Sequence, residues 1–425
     1  MIDYIGKFRI DRLLGKGATA SVYLGVDKFS GQEVAVKIAD PKIFDNGQHG
    51  RKFQDMFLNE ASLAGKLQHP HIARLLDAGS IDDKLYIVME YVDGGTLQEF
   101  TRAENLLAPA EMTGALFQCC NALDYACSEG IFHRDIKPAN LMYQGELQIK
   151  VVDFGAALSA KSDRLQLTET VGTPVYLSPE MVRGEAADQR SDIFSLGMVM
   201  YQLLTGSLPY SARSPQELFA QILDQPLADS AAFNPQLPAG LHAIVRRCLH
   251  KRPEDRYQQW GELAADLMTA HQQLNPASDE LTEAQKFQQL KSIPFFCELQ
   301  DRQLWEILGI ANWYRLPGDE VLVEEGSTGS TLYFIASGSA RVEKRGKPLG
   351  VVLPGYSIGE VAFVKGESQT RTASVVSNGD IDLMEILPED ILRASDRLQS
   401  SIKTLLLKIL AERLEQTSAI TAQYL

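Results

Sequence analysis

The chain is poor in cysteine, with five residues in 425, and no Cys-x-x-Cys spacing repeats. Cys119, Cys120, Cys127, Cys248 and Cys297 offer neither an even-numbered disulfide framework nor a zinc-ligand set, so buried free thiols are expected. No run approaches the roughly 18 apolar residues that a membrane span requires. The start, Met1-Ile2-Asp3-Tyr4, lacks the basic and apolar regions of a secretion leader. An excess of positive charge is missing too: 41 Lys and Arg face 55 Asp and Glu, for a formal net charge of -14. That balance argues against nucleic acid and anionic membrane surfaces as partners. A cytoplasmic protein in a reducing compartment is the expectation.

What is present is an ordinary globular composition, 45% apolar and 23% charged, at a length that calls for two or three domains. Phe8 to Leu13, Ser21 to Val26, Glu33 to Ile38 and Leu85 to Glu90 read as short strands. Between them Phe53 to Leu67 has helical spacing, with Phe53, Phe57, Ala61 and Ala64 on one face. From Ala110 to about Leu274 the pattern is mainly helical. A polar stretch around Pro276 reads as a linker. A helical stretch from Ala284 to about Ile310, broken at Pro294, follows. Then come short strands, among them Val321-Val323, Leu332-Ala336, Arg341-Lys344 and Ile381-Leu387. Glycines at 326, 329, 338, 355 and 359 punctuate them as turn residues. A helix from about Ser395 to Thr417 closes the chain, with Ile402, Leu406, Leu410 and Leu414 at four-residue intervals.

Two signatures carry chemistry: His133-Arg134-Asp135-Ile136-Lys137-Pro138-Ala139-Asn140 and, soon after, Asp153-Phe154-Gly155. They supply one candidate base and two candidate magnesium ligands. Phosphoryl transfer needs a positioned hydroxyl, a clamped triphosphate and metal ions that absorb developing charge. Upstream, Gly15-Lys16-Gly17-Ala18-Thr19-Ala20 lies between two expected strands, where missing Cβ atoms let backbone N–H groups approach phosphate. Lys37 ends Val34-Ala35-Val36-Lys37, and Glu60 on the following helix is the natural carboxylate to orient it.

Over about residues 8 to 271 this ordered set resembles a eukaryotic-type protein kinase domain of the serine/threonine kind. The resemblance implies that Asp135 orients the acceptor hydroxyl, Lys137 neutralises the γ-phosphate, and Asn140 and Asp153 hold Mg2+. It assigns ATP to Gly15, Gly17, Val22, Ala35, Lys37, Glu60, Met89, Glu90 and Val92. It pairs Glu180, in Gly172-Thr173-Pro174-Val175-Tyr176-Leu177-Ser178-Pro179-Glu180, with Arg256, and has Asp192 brace the catalytic loop. Lys137 and Thr173 resemble the serine/threonine-specific type. Arg134 beside Asp135 implies control by phosphorylation, for which Thr168 and Thr170, a Thr-x-Thr pair similar to those of bacterial kinases, are the candidate sites. Departures are Ala20 for the third loop glycine and Ser178 for an alanine. Thr96 and Ala139 stand where arginine-directed relatives carry acids, which puts an upstream-arginine preference in doubt.

Downstream, Gly359-Glu360-Val361-Ala362-Phe363 and Arg371-Thr372-Ala373 sit among strands and glycines. A cyclic nucleotide offers one phosphate, suited to an arginine, and one ribose hydroxyl, suited to a carboxylate. With Leu290 to Phe296 and Glu325-Gly326-Ser327-Thr328-Gly329, this region resembles the cyclic-nucleotide-binding domain. The resemblance gives Arg371 the phosphate and Glu360 the ribose 2′-hydroxyl, with Gly359, Ala362 and Thr372 at the contact. Cyclic AMP is favoured weakly over cyclic GMP. Thr370 replaces the usual proline before the arginine. The closing helix stays open as a lid, a homodimer seam or one packed face.

The expected fold is α+β and multidomain: a bilobal protein kinase over 1–271 (lobes about 1–92 and 93–271), a linker over 272–284, and a β-roll cyclic-nucleotide-binding domain with flanking helices over 285–425. The expected function is transfer of the ATP γ-phosphate to serine or threonine hydroxyls of protein substrates, regulated in cis by cyclic nucleotide. The alternatives are an active kinase whose β-roll only docks or dimerises, and a kinase-fold scaffold with little catalysis.

Overall fold

The computed structural model describes residues 3–17, 19–40, 57, 61, 65–81, 84–145, 147–154, 174–227, 238–274, 283–365 and 369–423. The chain forms two compact units, Met1–Asp279 and Glu280–Leu425.

The first unit opens with strands β1 (Tyr4–Ile5), β2 (Phe8–Lys16), β3 (Ala20–Asp27), β4 (Glu33–Ala39), β5 (Leu75–Ile81) and β6 (Lys84–Glu90). They build one antiparallel sheet in the order β1-β2-β3-β4-β6-β5. Its β-branched central strand explains how: Val34, Val36 and Ile38 pack on one face with Ile5, Phe8 and Val88. Leu85 and Ile87 pack with Ala39, Phe57 and Ala61 in a second cluster. Of the helix expected at 53–67, Phe57 and Ala61 are described and stand one turn apart, but Gly65 and Lys66 form a turn and Leu67 is irregular, so the helix stops before the expected end. Strand β5 escapes the sequence pattern because Asp77, Gly79 and Ser80 dilute it.

Helix α1 (Pro109–Ser128) starts on Pro109, and the Glu111 carboxylate accepts from the Ala108 N–H at 3.0 Å, the backward half of a capping box. Among its described residues the stretch 110–274 is mainly helical, as expected, with one exception. A hairpin of β7 (Leu141–Gln144) and β8 (Gln148–Val151) interrupts it, in strands too short to announce a period. Among the described residues, helices α2 (Pro179–Val182), α3 (Gln189–Thr205), α4 (Pro215–Asp224), α5 (Ala239–Cys248) and α6 (Trp260–Leu274) follow. Helix α3 is buried nearly all round. Asp188 caps its start, and Gly206 at φ 69° ends it, the left-handed conformation that favours glycine.

The second unit begins with α7 (Glu283–Ser292) and α8 (Asp301–Ile310), separated by a 3-10 turn at Pro294–Phe296. Strands β9 (Asn312–Leu316), β10 (Val321–Val323), β11 (Thr328–Gly329), β12 (Leu332–Ser337), β13 (Ala340–Lys344), β14 (Lys347–Val352) and β15 (Ser357–Ile358) follow. The short helix α9 (Glu360–Lys365) precedes β16 (Gln369–Thr370), β17 (Ser374–Ser377) and β18 (Ile381–Ile386). Helices α10 (Pro388–Arg393) and α11 (Asp396–Gln423) end the unit. Two four-stranded sheets, β10-β17-β13-β14 and β15-β12-β18-β9, and the pair β11-β16 result. Val323, Ile335, Ala340, Ile358, Val375, Ile381 and Leu383 form a core cluster.

Gly326, Gly338, Gly355 and Gly359 have φ of 85°, 83°, 90° and 94°, as turns require. Gly329 does not: it lies in β11, and its role is spatial. Cys119, Cys120 and Cys248 are buried, as expected for free thiols, but Cys297 is exposed. Among the described residues no helix is long and apolar enough to cross a membrane.

Candidate functional site

In the first unit the central strands set out one wall of a site by register alone. Val22 pairs with Lys37, and Lys37 with Ile87; Ala35 pairs with Met89. Gly15 and Lys16 end β2 opposite Val22 and Ser21, and the Gly17 N–H donates to the Ala20 carbonyl at 2.8 Å. The glycine segment is thus the tip of a hairpin over those strands. Glu90 ends β6 with its carboxylate already used, 2.8 Å from Lys150 Nζ and accepting from the Arg74 N–H. Any nucleotide contact there falls to backbone. Val92 is buried beyond it.

Arg134 and Asp153 both sit in the left-handed region, at φ 61° and 64°. Such a conformation costs a non-glycine residue of order 1–3 kcal/mol and persists only where surroundings impose it. Here Asp192 imposes the first: its buried carboxylate accepts the N–H groups of His133 at 2.8 Å and Arg134 at 2.7 Å. Burial pushes the Asp192 carboxyl above its usual range, against the pull of His133 and Arg134. The Asp135 N–H donates to His133 Nδ1, so the ring proton lies on Nε2 and is given to the Val152 carbonyl at 3.0 Å. One imidazole therefore ties the loop at 133–135 to the chain just before Asp153. The Phe154 ring packs 4.7 Å from that imidazole.

The functional side chains converge on this frame. Lys137 Nζ lies 2.5 Å from Asp135 Oδ2, and Asn140 Nδ2 donates to Oδ2 and to the Asp135 carbonyl. Across the site Lys37 Nζ lies 2.7 Å from Asp153 Oδ1. Asn140 Nδ2 is committed to Asp135, which leaves its Oδ1 for other partners. That oxygen and the Asp153 carboxylate are hard donors of the kind Mg2+ takes. Glu60, Thr168 and Thr170 lie outside the described residues.

One residue that the motifs did not flag is His71. It is 3% exposed, its Nδ1 sits 3.0 Å from the Ile149 carbonyl, and its backbone bonds to Val151. Burial pushes its pKa down to about 4 from 6.5. The folded protein therefore holds it neutral while the unfolded chain protonates, so the His71 contribution should lower stability as pH drops from 6.5 to 4 and then stay constant. The full shift corresponds to about 3 kcal/mol. Urea unfolding across that window in wild type and His71→Gln checks it; an unchanged pH slope in the variant would reject it.

In the second unit the two signature residues are brought to one place. Arg371 Nη2 donates to the Thr331 carbonyl at 3.0 Å. A Cβ on Gly359 would meet Arg371 Nη1 at 2.4 Å, and one on Gly329 would meet Nη2 at 3.3 Å. Both glycines are thus the floor on which the guanidinium lies, which is why Gly329 needs no turn conformation. Glu360 starts α9 directly after Gly359 and is 5% exposed. Thr372 is exposed; Ala362 lies within α9.

A strand-rich sheet facing a braced loop, with a lysine and an aspartate paired across them, is the arrangement of a protein kinase. Residues 8–272 match the protein kinase domain model, and the chain belongs to that family. Residues 314–397 match the cyclic nucleotide-binding domain model. The chain is 36% identical over 295 residues to the serine/threonine-protein kinase PknB of Mycobacterium tuberculosis, covering 67% of this chain and 46% of that protein. With the serine/threonine-protein kinase PrkC of Bacillus subtilis it shares 34% identity over 305 residues, 72% of this chain and 46% of that protein. The matches thus span less than half the length of these relatives.

Proposed function

We propose that the chain is a serine/threonine protein kinase that transfers the ATP γ-phosphate to protein hydroxyls and responds to a cyclic nucleotide bound by its C-terminal domain. The observation that carries the first part is the joint placement of Asp135, Lys137 and Asn140 on one loop braced by Asp192. Asp135 orients the acceptor hydroxyl and takes its proton, and Lys137 offsets γ-phosphate charge. Lys37 holds the α- and β-phosphates, with Glu60 as its orienting partner. Gly15, Gly17, Val22, Ala35, Met89, Glu90 and Val92 enclose the nucleotide. Asn140 and Asp153 hold Mg2+, which when bound neutralises charge on the phosphates. Phosphorylation of Thr168 or Thr170 gives Arg134 a dianion to pair with. Protein substrates follow from this reading; a homodimer remains one role for α11.

In the second unit Arg371 holds the cyclic phosphate and Glu360 the ribose 2′-hydroxyl, with Gly359, Ala362 and Thr372 around them. Nucleotide binding relieves a less active state of the kinase. A ligand that prefers the active state 100-fold shifts that equilibrium by about 2.7 kcal/mol, so basal activity is partial. The test is the initial rate of autophosphorylation during titration with cyclic AMP or cyclic GMP, beside direct binding of each labelled nucleotide. Arg371→Ala removes charge-assisted hydrogen bonds and should weaken binding roughly 10- to 100-fold. Equal binding by the variant would sink the ligand assignment. A rate indifferent to both nucleotides would reduce the domain to a docking module.

A further inference from the structure

Two Thr-x-Thr pairs occur in the chain, Thr168-Glu169-Thr170 and Thr370-Arg371-Thr372. Each is followed by an aliphatic residue and then a small one, Val171-Gly172 and Ala373-Ser374. The first pair is the proposed site of activating phosphorylation. The second brackets the arginine proposed to hold a cyclic phosphate, so the same acceptor pattern recurs at the ligand site.

Gln369 and Thr370 pair with Gly329 and Thr328 in the two-residue ladder β11-β16. Arg371 is pinned at both of its peptide groups. Its N–H donates to the Ser327 carbonyl at 2.7 Å, and its carbonyl accepts from the Gly326 N–H at 2.8 Å. Thr370 and Thr372 on either side are exposed, and among the described residues neither hydroxyl takes part in a hydrogen bond. Neither hydroxyl serves the fold, so both are open to modification. The Arg371 guanidinium lies on Gly329 and Gly359 and donates to the Thr331 carbonyl, and among the described residues it has no carboxylate partner. A fixed cation without a counter-ion thus stands between two unused hydroxyls.

We infer that Thr372 is a phosphoacceptor of the chain's own kinase activity, and that phosphate on it excludes the cyclic nucleotide. In the transfer the bond from the γ-phosphorus of ATP to its β,γ-bridging oxygen breaks, and a bond from that phosphorus to Thr372 Oγ1 forms. The hydroxyl proton passes to Asp135, and ADP leaves. Phosphorylation adds a charge of about −2 and strong acceptor oxygens. On Thr372 that dianion supplies the counter-ion Arg371 lacks and repels a second phosphate arriving at the same place. This rests on both parts of the proposed function and adds a feedback to them: a kinase released by nucleotide closes its own sensor.

The test uses the full chain, with phosphorylation mapped by mass spectrometry after incubation with ATP and Mg2+, and labelled cyclic AMP and cyclic GMP as binding probes. Wild type should gain phosphate at Thr372 and lose nucleotide affinity by roughly 10- to 100-fold, as expected when a charge-assisted contact gives way to repulsion. A protein phosphatase should restore the affinity. Asp153→Asn should gain no phosphate and keep its affinity through the same incubation. Thr372→Val should make nucleotide affinity indifferent to ATP, read as a ratio before and after incubation, so any change in starting affinity cancels. Saturating nucleotide should in turn suppress labelling of Thr372 relative to Thr168 and Thr170, as linkage requires. Phosphate on Thr168 or Thr170 with none on Thr372 would overturn the inference and leave the kinase standing. So would a phosphorylated Thr372 with unchanged nucleotide affinity. No phosphate at any residue would overturn the kinase reading and this inference with it. An unphosphorylated chain that binds neither nucleotide would overturn the ligand reading and, again, this inference.

Discussion

Replacing Arg256 with alanine is expected to destabilise the first unit by about 3–5 kcal/mol, the cost of leaving a buried charge without its partner. Arg256 is 1% exposed, and its Nη1 and Nη2 lie 2.7 and 2.8 Å from the two Glu180 oxygens. The same guanidinium donates to the carbonyls of His250, Arg190 and Lys251, and its carbon lies 4.9 Å from the Phe194 ring centre. Truncation would strand those carbonyls and leave the Glu180 carboxylate without its cation, with Ser191 Oγ, at 2.6 Å, still donating to it. Urea unfolding measures the loss. Arg256→Met combined with Glu180→Leu should recover part of it, because the double change removes both charges. A single-variant cost below about 1 kcal/mol, the range of an exposed pair, would show that the ion pair is not maintained in solution.

The same pair has a pH signature. Burial pushes the Glu180 carboxyl up, but Arg256 and Ser191 outweigh it and hold the carboxyl below its usual value of 4.5. The folded state then binds its proton less readily than the unfolded state. The stabilisation is present above pH 4.5 and is lost as pH falls through the lower folded value. Its onset lies below that of His71, so the two acid losses are separable in one titration.

The legible parts of this chain are those where a local pattern has a local cause. Val34, Val36 and Ile38 alternate because β4 is central, and the sequence reading places that strand within a residue of its ends. Asp135, Lys137 and Asn140 are legible because one loop carries them at fixed spacing, and the Glu180–Arg256 partnership because its motifs are distinctive. What escaped depends on contacts distant in sequence. His71 is a lone histidine until β8 brings the Ile149 carbonyl to it. Gly329 reads as a turn glycine, and only the position of Arg371, 42 residues on, shows why a side chain is excluded. Strand β5 pairs along its length with β6, so its weak composition is offset by a strong neighbour. The Lys37–Asp153 contact joins strand and loop across more than a hundred residues, which no spacing rule reaches.

Asp135→Asn is expected to lower the phosphoryl-transfer rate about 10²- to 10⁴-fold, the range for removal of a positioned general base. Asparagine keeps the shape of the side chain, and its Oδ1 can still accept from Lys137 and Asn140, as Asp135 Oδ2 does now. The bonds that fix the loop, from the His133 and Arg134 N–H groups to the Asp192 carboxylate and from Asn140 Nδ2 to the residue 135 carbonyl, are untouched. The variant should therefore fold, bind ATP with little change and differ from wild type in the chemical step alone. That separates the proposed base from the residues proposed to hold Mg2+, since Asp153→Asn should weaken the Mg2+ dependence of nucleotide binding as well as the rate. The deciding measurement is single-turnover transfer to a protein substrate, with ATP affinity measured on the same sample. A fall in rate at unchanged ATP affinity supports the assignment. A rate within about tenfold of wild type would mean that Asp135 only positions the hydroxyl. In that case its proton leaves by another route, and Lys137, 2.5 Å away, would be the group to test next.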